Sequence, residues 1–403
     1  MPTDRPSHVR RCVRKAVIAL APLVLLGSTA FAGPAGARTS FLGGLSSGPP
    51  SSVTAVPANG DINPYGVAVV TASVGRLVHG DVLVSNFNDA ANNQGTGTTI
   101  VQLPAGATGL STTHAPVFAR IDPRLSPADE CPGGIGLTTA LAILPGGWVV
   151  VGSLPAQAGT LSTADSGCLL VINNMGQLVN VITGHDINGP WDMTATSSGS
   201  SAALFVTNVL NGTVAAAGSV VDRGTVVRLD LRLSPQHAPA VVDATVIGSG
   251  FAERTDPNAL VVGPTGVGLS PDQHTLYVAD TASDRIAAIP DPLTRDSTAF
   301  SGRDVFAGAP LNGPLGLATA PNGDIITVNG DDGNAVETAP DGAQVATLTL
   351  DSQGSPAGAG DLFGLAIAAP GTAQAGGLYF VDDFDTPGTG ANTNSLNFLA
   401  PAT

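Results

Sequence analysis

Apolar positions along this chain come in short bursts separated by turn residues, with no sustained helical spacing. Runs of three or four such residues stand at Val82–Val84, Trp148–Val151, Leu204–Val206, Leu276–Val278, Ile325–Val328 and Leu378–Val381. Short, β-branched-rich runs of this kind predict buried strands. A polar break follows each run: Ser85-Asn86, Gly152-Ser153, Thr207-Asn208, Ala279-Asp280, Asn329-Gly330 and Asp382-Asp383. A turn opens a further strand ahead of each run, at Pro64-Tyr65-Gly66, Gly136-Leu137, Pro190-Trp191-Asp192, Pro264-Thr265-Gly266, Pro314-Leu315-Gly316 and Leu362-Phe363-Gly364. Proline presets φ and glycine frees it, so these are turns leading into strands.

Third strands are expected at Ile100–Leu103, Cys168–Ile172, Val226–Leu231, Ile286–Ile289, Val336–Thr338 and Leu396–Leu399. Fourth strands are expected at Val117–Ile121, Leu178–Ile182, Ala244–Ile247, Asp304–Phe306 and Val345–Leu350. The sixth copy lacks its fourth, and an unassigned strand, Val53–Val56, precedes the first copy. A unit of this size cannot bury its own faces and must stack on its neighbours. The expected fold is therefore all-β: a six-bladed β-propeller over residues 53–403, closed by its N-terminal strand. Closure would remove the exposed sheet edge of an open array.

The segment LYVADTASDRI, Leu276 to Ile286, resembles the core of an NHL repeat from six-bladed propellers, and Gly313 to Val336 is a looser copy. Lactonases and lyases occur on similar rings, with metal or His/Glu groups at the channel mouth. The calcium-lactonase pattern relies on a glutamate ligand. Glu130, Glu253 and Glu337 are the glutamates here, and none opens an innermost strand.

Long loops are expected between second and third strands in the sixth, first, second and third copies: Asp382–Asn394, Ser85–Thr98, Gly152–Gly167 and Thr207–Gly224. These copies are consecutive around a ring, so their loops would wall one side of one face. Long loops of this kind carry function or drift freely.

The first 32 residues have a basic start, an apolar run from Ala16 to Ala32 and an Ala30-Phe31-Ala32 cleavage site. They read as a signal peptide, with residues 33–52 as a flexible linker, and predict a secreted or periplasmic protein. Arg10-Arg11 also permits a twin-arginine route. The rest of the chain offers no run long and apolar enough to span a membrane. Removing residues 1–32 takes five basic residues and Asp4 from totals of 16 and 31, leaving 11 Arg, no Lys, 30 acidic residues and a formal charge of −19. Such a surface repels phosphate backbones, which argues against nucleic acid. The absence of lysine excludes Schiff-base chemistry. Two cysteines survive processing, Cys131 and Cys168, and export favours a disulfide between them.

Candidate chemistry is sparse. His185 and Asp186 precede Pro190-Trp191-Asp192, and Asp192 stands where other copies carry glycine. These residues could be an acid–base pair or metal ligands. Equally, Asp192 could brace its turn and His185 could be a surface residue. Asn86, Asn208, Asp280, Asn329 and Asp382 recur at equivalent strand ends, where they could bind a ligand or calcium, or cap turns. Trp191 could line the same face. The sequence thus points to an exported, monomeric binding module that takes a small molecule, glycan or protein on its loop-rich face. The alternative is a lyase- or lactonase-like enzyme at the channel mouth.

Overall fold

The computed structural model describes residues 38–403, apart from 111, 125, 155–165, 258, 355 and 384–393. The expected signal peptide 1–32, the start of the expected linker and the middles of two expected long loops lie outside the described residues. Among those described, no helix is long and apolar enough to cross a membrane.

Six antiparallel sheets form the ring. Blade 1 comprises Ile62–Val69, Val82–Asn88, Thr99–Leu103 and Val117–Arg120, in that order from the axis outward. Blade 2 comprises Leu137–Leu144, Trp148–Leu154, Cys168–Ile172 and Leu178–Ile182. Blade 4 runs through Pro264–Leu269, Thr275–Asp280, Arg285–Pro290 and Arg303–Ala307, and blade 5 through Pro314–Thr319, Ile325–Asn329, Asn334–Thr338 and Gln344–Thr349. In blade 6, Leu362–Ile367, Leu378–Asp382 and Ser395–Leu399 are completed by Ser51–Thr54 from the other end of the chain. Ser51 pairs with Phe398 and Val53 with Leu396. The expected closure is therefore present, two residues earlier than its sequence pattern indicates.

Blade 3 departs from the expected four strands. Its sheet holds Pro190–Ser198, Ser201–Asn208, Val221–Arg232, Ala240–Asp256 and a short fifth strand, Leu260–Val262. Gly248 and Gly250, just past the expected strand Ala244–Ile247, break the apolar pattern without breaking the strand. The ladder passes them with register shifts, and Gly250 adopts φ +80. Glycine is a usual companion of such bulges.

Hydroxyls on second strands stitch neighbouring blades together. Ser85 Oγ accepts the Gly66 amide at 2.9 Å and donates to Thr139 O of the next blade at 2.8 Å. Thr207 does the same between blades 3 and 4, accepting from Asp192 N at 3.0 Å and donating to Thr265 O at 2.8 Å. The core lies between blades, as where Leu83 and Phe118 of blade 1 join Val149, Val151 and Leu170 of blade 2.

Within the stretch read as a linker, Ser40 to Leu42 meet the buried Glu337. Its carboxylate accepts from Ser40 Oγ at 2.6 Å and from the Phe41 and Leu42 amides at 2.7 and 2.9 Å. Cys131 and Cys168 form a disulfide with their Cα atoms 5.6 Å apart, as their positions predict.

Candidate functional site

The six innermost strands converge on the axis, and their glycines record how closely. A Cβ added to Gly266 would lie 2.4 Å from Leu315 O, one on Gly316 2.3 Å from Phe363 O, and one on Gly364 2.0 Å from Tyr65 O. Backbone meets backbone there, so no side chain fits. Blade 3 carries Asp192 at the matching place. Its carboxylate accepts from its neighbour Met193 N at 2.7 Å through Oδ1. Through Oδ2 it accepts from Val267 N of blade 4 at 3.0 Å. Burial pushes Asp192 up to about 7, and the Val267 and Met193 amides pull it back only in part.

Tyr65, Trp191, Leu315 and Phe363, the middle residues of four of the repeated turns, form a plug on the loop-rich side of Asp192. Tyr65 packs against Phe363 with ring centroids 4.9 Å apart and meets Trp191 edge-on at 5.3 Å. Leu315 joins the same buried cluster. So do Ala259 to Val262, from the end of the long blade 3 insertion. Ala259 and Val262 share a small cleft with Leu315 and Phe363, so this segment covers the plug. Gln94 of the blade 1 loop reaches its tip, donating to Pro257 O at 3.4 Å.

Two spaces adjoin Asp192. One is a cavity of about 30 Å³ bounded by Tyr65, Trp191, Phe363, Leu315 and the glycines. The other is a channel of about 330 Å³ that continues past Val67, Val267 and Leu317 to Leu269, Thr319 and Ile367 at the far ends of the inner strands. Val67, Asp192, Leu317 and Leu365 wall both spaces, so Asp192 stands at their junction. Among the described residues it is the one acidic side chain lining either, and neither lining contains Arg, Lys or His. The buried Tyr65 hydroxyl lies beside the Trp191 side chain and makes no hydrogen bond of good geometry among the described residues.

The structure brings Trp191 and Asp192 to this centre and leaves the other expected residues outside it. His185 and Asp186 are exposed on a turn with φ 53 and 59, and neither lines the cavity or the channel. Asn86 is buried and donates to Ala55 O at 3.1 Å. Asn208 is buried and accepts from Asn188 N at 2.9 Å. Asn329 donates to Pro310 O at 2.9 Å. Asp382 lies half-buried at its strand end, beside residues outside those described.

These strand ends do not fit a calcium ion. Asn86, Asn208 and Asn329 each donate to a backbone carbonyl, Asn208 Oδ1 already accepts from Asn188 N, and Asp280 is paired with Arg285. Among the described residues, no three His, Cys, Asp or Glu side chains gather as a metal site. The mouths of the inner strands carry Tyr65, Trp191, Thr265, Leu315 and Phe363, where a hard cation needs a set of oxygens.

Sequence reasoning reached Asp192 through its departure from glycine. It missed Tyr65 and Phe363 as site walls, although their place in the repeated turn is the same as that of Trp191. It also missed the covering segment Ala259 to Val262.

Residues 191–357 match the family described as SMP-30/gluconolactonase/LRE-like region. The NHL-like segment Leu276 to Ile286 falls inside this match. No curated protein sequence matches the chain. Among solved structures, a gluconolactonase from Xanthomonas campestris is similar at 16% identity and a TM-score of 0.51, covering 88% of this chain and 95% of its own. A luciferin-regenerating enzyme is similar at 12% identity and a TM-score of 0.50, covering 87% and 95%. At these identities the likeness concerns the fold.

Proposed function

We propose that this chain is an exported propeller enzyme that performs general acid–base chemistry on a small molecule at Asp192, of lactone-hydrolysing or lyase type. Its match to the SMP-30/gluconolactonase/LRE-like region supports an enzyme over the pure binding module that the loops suggest. The observation that carries the reading is Asp192 itself. It is a carboxyl raised to about 7 at the junction of a small cavity and a channel of ligand size. Proton transfer is most effective when the group titrates near the working pH. A space of about 330 Å³ lies within the range of small-molecule sites. Because the aromatic plug and Ala259 to Val262 fill the axis on the loop-rich side, substrate would arrive through the channel from the hairpin side.

In this reading Asp192 takes a proton from water attacking a ring ester, or from the carbon beside an eliminated group. The Val267 and Met193 amides hold the carboxylate in place. No step runs through calcium. The test is turnover of a panel of γ- and δ-lactones, followed by acid release, with the mature protein and Asp192→Asn. Turnover should fall by about 100-fold or more in the variant. It should rise with pH through about 7 in the wild type, as Asp192 ionises. Equal turnover by the variant would overturn the assignment. Binding without turnover by the wild type would favour the binding module.

A further inference from the structure

The cavity beneath the plug has a composition that its size alone does not explain. Its walls combine three aromatic side chains, Tyr65, Trp191 and Phe363, with one carboxylate, Asp192. Aromatic faces carry negative charge and attract cations, the more so when water is excluded. The carboxylate receives two backbone N–H bonds and has no cationic side chain among the cavity or channel walls. The Tyr65 hydroxyl, 4% exposed, has the Trp191 side chain as a neighbouring donor but makes no hydrogen bond of good geometry among the described residues, so its oxygen has room to accept from whatever fills the space. Arg254, which shares a small cleft with Leu315 and Phe363, is held by Asp256 at 2.6 Å.

We propose that this cavity receives a protonated primary amine, with the remainder of the ligand lying along the channel. This rests on the reading of the channel as the ligand site and names the class of molecule it takes. About 30 Å³ matches one or two waters and therefore an –NH₃⁺ head. A trimethylammonium head is too large. An anion would meet Asp192 with nothing to balance it. A neutral ligand would leave that carboxylate without a counter-charge above neutral pH. An ammonium group supplies the counter-charge, donates to Asp192 and to the Tyr65 oxygen, and offers its remaining face to the rings. It also keeps Asp192 in the ionised form that a general base requires.

The experiment is titration of the mature protein at pH 8 with n-butylammonium chloride, read by calorimetry and by tryptophan fluorescence. n-Butanol, butyrate and butyltrimethylammonium serve as comparisons. Butylammonium should bind at least about tenfold more tightly than each of these. Asp192→Asn should weaken it by about tenfold or more, and Tyr65→Phe by a few-fold. Wild-type affinity should fall as pH drops below about 7, and this dependence should vanish in Asp192→Asn. Equal affinity for butanol, a pH-independent affinity, or no saturable binding of butylammonium would overturn the proposal. If Asp192→Asn abolishes lactone turnover while butylammonium fails to bind, only the amine inference falls. If the variant turns lactones over normally but loses butylammonium, only the catalytic reading falls.

Discussion

Arg285 Nε donates to Asp280 Oδ2 at 2.8 Å, joining the end of the second strand of blade 4 to the start of the third. The same guanidinium reaches Asp304 at 2.5 Å and Ser301 O at 3.0 Å, and it lies 5.6 Å from the Phe251 ring centroid in blade 3. Burial pushes Asp280 up to about 6 against the pull of Arg285. The pair braces a turn, and neither residue lines the cavity or the channel. Asp280→Ala should therefore lower stability by about 1 to 2 kcal/mol, because it removes one charged hydrogen bond and leaves Arg285 held by Asp304 and Ser301 O alone. A urea midpoint at pH 7.5 measures this. Turnover per folded molecule should be unchanged.

Ring closure gives a second expectation. Ser51–Thr54 supplies the outer strand of blade 6, and Ser40 to Leu42 are tied to Glu337 in blade 5. A protein beginning at residue 56 would lose both attachments and expose the edge of Ser395–Leu399. Its melting temperature should fall by several degrees, and light scattering should show self-association. An unchanged melting curve would show that the strand merely decorates the ring.

The ring was legible because strand period and turn chemistry are local. Pro-x-Gly turns, apolar runs and the stray strand near Val53 each announce themselves within a few residues. The site was legible only at Asp192, where a departure from a repeated glycine is visible. That the glycine is demanded by backbone approach, as at Gly364 against Tyr65 O, is a fact of the assembled ring. The covering segment Ala259 to Val262 was hidden because its burial depends on residues distant in sequence, Leu315 and Phe363 among them. Likewise, Asn86 and Asn208 looked like ligand groups by recurrence, and only packing reveals that both are buried against backbone partners.

The disulfide links Cys131, ahead of blade 2, to Cys168 at the start of that blade's third strand. It closes a loop 37 residues apart in sequence. By the chain-entropy model such a closure contributes about 4 kcal/mol. The double variant Cys131→Ala, Cys168→Ala should lose stability on that order, seen as a lower denaturant midpoint. Thiol titration of unreduced residues 33–403, which exclude Cys12, should find no free thiol after unfolding in denaturant.

Glu253 supplies the clearest dependence on pH. It sits wholly buried on the long strand Ala240–Asp256, and neither carboxylate oxygen has a hydrogen bond of good geometry. Burial pushes it up to about 7, while Thr213, Asn211 and the charge of Arg223 restrain the rise. The folded state thus holds a proton that the unfolded chain releases near the usual glutamate value of 4.5. Stability from this group is full below that value and is lost as pH rises through about 7. Glu253→Gln keeps the shape and cannot ionise. The melting temperature of the variant minus that of the wild type should therefore increase from pH 5 to pH 8 and level off beyond. A difference that stays constant across this range would mean that Glu253 ionises normally in the fold, with water or a neighbouring donor reaching its carboxylate.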